Sequence, residues 1–378
     1  MKIILFANTE WYLFNFRRAL AEVLCDAGHE VLLVSPDGPY GEKLRQLGFR
    51  WIPAPMARRS LNPFRELAVV RWLQKLIREE NVDLIHGFTI KSAVYGSLAA
   101  RFAGDRARVS AVAGLGYVFT SRDLRARVLR PVVRMMMRFA MDGKKARLIL
   151  QNPDDAALFR NQRLIDDSRI RLIRGSGVDC SRFVSGVARA EGESLRVLLA
   201  ARLLWDKGLA EYVAAARTLK SEGRSVQFLL AGDSDPGNPN AVPEETVQGW
   251  AKEGLIDWLG HVDDMPALLS SVHAMALPTA YGEGLPRSLI EAAACGLALV
   301  TTDAPGCREV VTHEEDGLLI PLRDAKALAA AIARLDDDLE LARRLGVAAK
   351  EKALREFEER IVIKKTIAVY DELVPAAP

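Results

Sequence analysis

The sequence predicts an α/β protein built from two doubly wound parallel-sheet domains, and three observations carry that reading. Short apolar runs alternate with longer amphipathic stretches in two separate series, the pattern of parallel strands covered by helices. A Gly- and Ser-rich segment, Gly175 through Gly192, divides the two series. The 378 residues, 49% of them hydrophobic, are enough to fill two cores.

In the first series, strands are predicted near residues 2–7, 30–35, 50–54, 83–88, 108–113 and 147–151, with helical stretches between them. The second series places strands near residues 195–200, 226–232, 256–259, 274–277, 298–302 and 317–320. Charged helical stretches follow at 324–335 and 338–356. No internal repeat or low-complexity tract interrupts either series.

Composition narrows the function classes. The four cysteines, Cys25, Cys180, Cys295 and Cys307, are too far apart for a disulfide framework or a zinc site. The first residues read as a short strand broken by Asn8 and Glu10, with no secretory signal, and no apolar run reaches the roughly 18 residues of a membrane span. The net charge of +3 hides an asymmetry. Residues 1–180 hold 30 Lys+Arg against 18 Asp+Glu, a balance of +12; the remainder hold 22 against 31, or −9. The first half is therefore expected to meet an anionic partner. Nucleic acid is set aside, because no nucleic-acid motif or stacking pattern of aromatics is present. An anionic membrane surface, or a lipid diphosphate within it, fits the charge better. Residues 122–147 hold the excess most densely, with nine Arg or Lys against Asp123 and Asp142. At 100° per residue, Arg127, Arg134, Arg138 and Lys145 share one side, and Val128, Val132, Met135 and Phe139 another. Such a helix is suited to lie on anionic lipid or to pack its apolar stripe on the sheet. Arg58 and Arg59, after the third strand, are candidates for an acceptor diphosphate.

The most informative stretch is Ala280-Tyr281-Gly282-Glu283-Gly284-Leu285-Pro286-Arg287-Ser288-Leu289-Ile290-Glu291. It sets two carboxylates eight positions apart, across a glycine-rich loop and the start of a helix, between two apolar strands. Pro286 suits the first helical turn, and glycines let backbone N–H groups approach a ligand. Carboxylates near a phosphate-binding edge are better suited to sugar hydroxyls than to phosphate, since like charges repel. The cations that phosphate needs stand in Ala201-Arg202-Leu203-Leu204-Trp205-Asp206-Lys207-Gly208, directly after the strand at 195–200. A fork and a point charge there are placed to hold a diphosphate.

Together these motifs resemble glycosyltransferase family four, the retaining, nucleotide-sugar-dependent enzymes of the GT-B fold. Leu277-Pro278-Thr279, Glu291-Ala292-Ala293-Ala294-Cys295-Gly296 and Thr302-Asp303-Ala304-Pro305-Gly306-Cys307-Arg308-Glu309 extend the likeness from about Leu195 to Leu322. Trp11-Tyr12-Leu13-Phe14-Asn15-Phe16-Arg17 and Gly114-Leu115-Gly116-Tyr117-Val118-Phe119 are similar to the branch that builds capsular, O-antigen and other lipid-linked glycans. The resemblance implies two Rossmann-like domains facing across a cleft: residues 1–178 binding the acceptor and 195–355 binding the nucleotide sugar. Residues 356–378 would cross back to the first domain. It further implies that Arg202 and Lys207 hold the donor diphosphate and that Glu291 takes the ribose. Glu283, helped by the N–H groups of Gly284 and Leu285, would orient the sugar. The backbone near Val262 would contact the base, and His86 would face the cleft as a catalytic side chain. Neither a metal nor a cofactor is implied.

Two departures stand out. The first strand-to-helix loop, Asn8-Thr9-Glu10-Trp11-Tyr12, lacks the family's Gly-Gly, and its His-x-His is here His86-Gly87-Phe88. The activity expected is transfer of a hexose or N-acetylhexosamine, most simply from a UDP-sugar, to a polyprenyl-diphosphate-linked or other lipid-linked saccharide in surface glycan assembly. The place expected is cytoplasmic, peripheral on the inner membrane face. A sugar-nucleotide epimerase of the same fold and a non-catalytic nucleotide-sugar or membrane scaffold remain alternatives. Asp233-Ser234-Asp235 has the form of a metal-binding DxD but reads as a loop near the nucleotide, since Arg202 and Lys207 supply the charge. Gly114-x-Gly116 is too short for a dinucleotide fingerprint and the first strand lacks GxGxxG, which argues against a nicotinamide enzyme; the stretch reads instead as a cleft loop facing the acceptor.

Overall fold

The computed structural model describes residues 1–57, 62–112, 124–186, 189–235, 237–280, 282 and 284–374, with the side chains of 124–130, 132 and 133 left out. The chain forms two compact units, residues 1–177 with 359–378, and residues 178–358.

The first unit carries a seven-stranded, all-parallel sheet. Its strands are β1 (Lys2–Phe6), β2 (Glu30–Ser35), β3 (Arg50–Pro53), β4 (Leu84–Phe88), β5 (Ala107–Val112), β6 (Ala146–Leu150) and β7 (Ile170–Leu172). They lie in the order β3-β2-β1-β4-β5-β6-β7. The second unit carries a six-stranded parallel sheet of β8 (Leu195–Ala200), β9 (Val226–Ala231), β10 (Asp257–Gly260), β11 (Ala274–Leu277), β12 (Ala298–Thr302) and β13 (Leu318–Ile320). The order there is β10-β9-β8-β11-β12-β13. In each sheet the winding direction reverses once, between β1 and β4 and between β8 and β11. Open α/β sheets bind ligands beyond the carboxyl ends of the strands at such reversals.

Strand periodicity explains why these runs form two-sided sheets. Val197 and Leu199 of β8 enter one core, while Leu198 and Ala200 enter the core on the opposite face. In β1, Ile3 and Leu5 divide from Ile4 and Phe6 in the same way. Strands buried on both faces read as continuous apolar runs, as β11 (Ala274-Met275-Ala276-Leu277) does. Helix starts follow their caps: the side chains of Asn62, Asn152, Asp324 and Asp338 each accept a backbone N–H of the first turn.

The last helix, Glu359–Asp371, belongs to the first unit. Val362, Ile363, Val369 and Tyr370 sit in the same core as Ile3, Leu5 and Phe88. Just beyond it, Glu372 is gripped by Arg147 at 2.7 Å and Arg171 at 2.6 Å.

The basic helix spans Leu124–Met141, with Pro131 inside it. It meets the core through Met137, Ala140 and Met141, whereas Met135 is 69% and Phe139 47% exposed. Of the expected apolar stripe, Met135 and Phe139 are thus turned to solvent, and Met137, Ala140 and Met141 pack instead. Lys145 lies beyond the helix end, which corrects its place on the basic side; Arg138 is exposed and Arg134 donates to the Gln162 carbonyl at 2.9 Å. Among the described residues, no helix is long and apolar enough to cross a membrane.

Candidate active site

At the β8/β11 reversal, two loops are tied into one platform. Thr279 Oγ1 and Ala280 N both donate to the Asp206 carbonyl, at 3.0 and 2.8 Å. Asp206 Oδ2 accepts from Asn240 at 2.6 Å, and Thr302 Oγ1 donates to the Thr279 carbonyl at 2.5 Å. Two glycines make the close approach possible. Gly208 has φ +81°, and a Cβ there would collide with the Pro278 carbonyl oxygen. Gly232 has φ +145°, and a Cβ there would strike the Ala201 carbonyl. Neither position tolerates an L side chain without displacing a loop.

Arg202 and Lys207 stand in the first of these loops, and the helix that carries Glu291 follows the second. Arg202 extends from the end of β8, half exposed, with Nη1 2.9 Å from Asp235 Oδ2. Asp235 is the last residue of the Asp-Ser-Asp stretch, and Asp233 lies 3.2 Å from His261. Asp235 therefore faces a cation and Asp233 an imidazole ring. Lys207 is buried in the turn Trp205–Lys207 that leads into helix Leu209–Ser221. Helix Arg287–Ala294 starts one residue later than expected, with Pro286 at its N-cap. Proline has no N–H to leave unsatisfied there, and its carbonyl accepts from Leu289 at 3.1 Å. Glu291 is largely buried, and its Oε1 receives a 2.7 Å bond from Arg287 Nε.

Gly284 is buried and Leu285 packs against the core beneath the helix start. Val262 is half-buried against the same core, and Asp264 caps the next helix by accepting from Ala267 N at 3.0 Å. Glu283, Arg58 and Arg59, and the Gly114–Phe119 stretch, lie outside the described residues.

Sequence reasoning missed Arg287 and Asp235 as partners of the expected ligands. The first had a signal, the i,i+4 spacing that brings Arg287 and Glu291 together on one helix face. The second had none, because Arg202 and Asp235 are brought together by the pairing of β8 with β9. Glu309 was also missed: it is buried and accepts the Gly306 N–H at 2.6 Å, fixing the turn after β12.

His86 corrects an expectation. Its Nδ1 lies 2.6 Å from Tyr370 Oη, and its ring lies 4.0 Å from that of Phe88. It is 1% exposed, and burial, with the Arg17 charge second, holds its pKa well below the usual 6.5. The side chain is a neutral imidazole that docks the last helix on the sheet, not a group presented to a cleft. His86 and Phe88 alternate with Gly87 on the strand, so both face that helix.

Two doubly wound parallel sheets, with a cation-and-carboxylate constellation at the reversal of the second, define a GT-B glycosyltransferase. The fold is shared with a glycosyltransferase from Rickettsia africae (TM-score 0.78, 20% identity, 100% of this chain and 99% of that one). It is shared equally with Anabaena HepE in complex with UDP (TM-score 0.79, 19% identity, 99% and 100% covered). The description "Glycosyl transferases group 1" matches residues 194–338, and "Glycosyl transferase 4-like" matches residues 2–152. Over 385 aligned positions the chain is 30% identical to the N,N'-diacetylbacillosaminyl-diphospho-undecaprenol alpha-1,3-N-acetylgalactosaminyltransferase of Campylobacter jejuni, covering 99% of each chain. It is 25% identical over 318 positions to the UDP-Gal:alpha-D-GlcNAc-diphosphoundecaprenol alpha-1,3-galactosyltransferase of Escherichia coli, covering 81% of this chain and 80% of that one. The chain belongs to the group 1, 4-like glycosyltransferase family.

Proposed function

We propose that this glycosyltransferase moves a hexose or N-acetylhexosamine from a UDP-sugar, with retention and without a metal, to a polyprenyl-diphosphate-linked saccharide in surface glycan assembly. What supports the reading is that Arg202 and Lys207 follow β8 and the Glu291 helix follows β11, the two strands at the reversal, with Thr279 and Ala280 tied to the Asp206 carbonyl between them. Two relatives named for undecaprenyl-diphosphate-linked acceptors support the acceptor class.

In this reading Arg202 exchanges Asp235 for a diphosphate oxygen. Arg202 is half exposed, so solvent weakens its hold on Asp235. Lys207 adds a second positive charge, and the start of helix Arg287–Ala294 adds its N–H groups. Glu291, steadied by Arg287, accepts from the ribose hydroxyls, and the backbone near Val262 meets the base. Glu283 with the N–H groups of Gly284 and Leu285 orients the sugar. As the C1–O bond to the diphosphate breaks, the cations take up the charge that develops on the leaving oxygen. The acceptor hydroxyl attacks C1 on the face the diphosphate leaves, and its proton passes to a diphosphate oxygen. Arg58 and Arg59 serve the acceptor diphosphate. The helix Leu124–Met141, with Met135 and Phe139 exposed beside Arg138, rests on anionic lipid at the cytoplasmic face.

The test is an assay of the purified chain with a panel of UDP-sugars and a polyprenyl-diphosphate-linked saccharide in excess EDTA. The reading requires a product with the donor's anomeric configuration. A new sugar nucleotide formed from donor alone would point instead to an epimerase, and loss of all turnover in EDTA would overturn metal independence. Co-sedimentation with anionic but not zwitterionic vesicles tests the membrane contact.

A further inference from the structure

The first unit holds a buried cation that the mechanism above does not use. Arg17 stands between helices Glu10–Phe16 and Arg18–Asp26, next to the β1/β4 reversal. It is 5% exposed. Its Nη2 donates to Tyr12 Oη at 2.9 Å, and its guanidinium carbon lies 4.3 Å from the centre of the Phe88 ring. Its Nε is buried without a hydrogen-bond partner, and no carboxylate among the described residues pairs with it. Aromatic faces offset part of the cost of burying a guanidinium, but a charge withdrawn from water ordinarily has a counter-charge. The same cluster contains a second orphan. His86 Nε2 is buried with no partner, while Nδ1 is engaged by Tyr370. In the tautomer whose Nδ1 accepts from Tyr370, Nε2–H is another donor lacking an acceptor.

A fixed fork of donors at the carboxyl edge of a parallel sheet, beside a strand reversal, suits a phosphate group. Phe88, the last residue of β4, is what allows it: a ring there stacks with both the guanidinium and the imidazole.

We propose that Arg17 is an anion-binding residue of the first unit that takes a phosphate oxygen of a diphosphate substrate. The acceptor's lipid diphosphate is the favoured source, because Arg202 and Lys207 already provide for the donor and the first half carries the basic excess. The inference rests on the function proposed above for the identity of the acceptor, though not for the existence of the site.

The experiment compares wild-type, Arg17→Met and Arg17→Lys full-length protein in thermal unfolding and in titrations with a short-chain polyprenyl diphosphate, inorganic pyrophosphate and UDP. Removing an uncompensated buried charge is expected to leave the unfolding temperature of ligand-free protein unchanged or raised. Affinity for the polyprenyl diphosphate is expected to fall roughly 10- to 100-fold in Arg17→Met, with UDP affinity unchanged. A fall for UDP alone would assign the same phosphate contact to the donor. Affinities for all three probes within about twofold of wild type would overturn the site, as would a lowered unfolding temperature with unchanged affinities. Where Arg17→Met fails to fold, Arg17→Lys, which keeps the charge and loses the fork, gives the same reading. A wild-type protein that binds polyprenyl diphosphate through Arg17 yet transfers no sugar would refute the function and leave the site standing.

Discussion

The two strand reversals share a topology and differ in almost everything placed on it. At β8/β11 the charges are paired: half-exposed Arg202 with Asp235, and largely buried Glu291 with Arg287. At β1/β4 they are sunk among rings, with Arg17 over Phe88 and His86 under Tyr370. A partly exposed ion pair is weakened by solvent, whereas a buried cation without a counter-charge carries an uncompensated desolvation cost. The same sheet edge thus carries paired charges in one unit and, among the described residues, a buried guanidinium without a counter-charge in the other.

The contrast breaks most visibly under substitution at the β8/β11 edge. Arg202→Ala and Lys207→Ala should each lower kcat by roughly 10²–10³, read as initial rates of sugar transfer, by analogy with the loss of one oxyanion donor. Arg202→Ala should lower the unfolding temperature only modestly, since Arg202 is half exposed and Asp235 keeps its bond from Asn238. Gly208→Ala should destabilise by about 2–4 kcal/mol, because it adds backbone strain at φ +81° and a clash with the Pro278 carbonyl. Denaturant unfolding measures this, and a neutral result would mean the two loops are not held together as described. In the first unit, Tyr370→Phe should cost about 1–3 kcal/mol by leaving His86 with no partner on either nitrogen. Finally, His86 gives a pH dependence of known sign. Its folded pKa is lowered, so the unfolded chain takes up a proton near 6.5 that the folded chain refuses. Its stabilising contribution is complete above that pH and is lost as pH falls toward the lowered value. Between about pH 7 and pH 5 the unfolding temperature of His86→Asn should fall less than that of wild type.

Much of the fold was legible because buried parallel strands are continuous apolar runs with sharp ends. The runs at 30–35, 195–200, 274–277 and 298–302 have the observed limits. β7 was not legible: three residues after a 3₁₀ turn carry no period. That Arg202 and Lys207 follow β8 and that Glu291 lies on the helix after β11 was legible from strand-loop-helix order alone. Their partners were not, with the exception of Arg287. His86 could not be placed because its hydrogen-bond partner lies 284 residues away, on a helix whose docking no local pattern reports. The register of the basic helix was ambiguous for a related reason. Methionines at 135, 136, 137 and 141 leave several apolar faces open, and only packing against Val112 and Leu148 selects Met137, Ala140 and Met141.

The central claim, that a nucleotide diphosphate is gripped at the β8/β11 edge, is tested most directly by calorimetric titration of UDP into wild type and the Arg202→Ala/Lys207→Ala double variant. The account predicts clear binding to the first and a loss of roughly 100-fold or more in the second, with the fold intact by circular dichroism. Equal affinity for UDP in both proteins would contradict it.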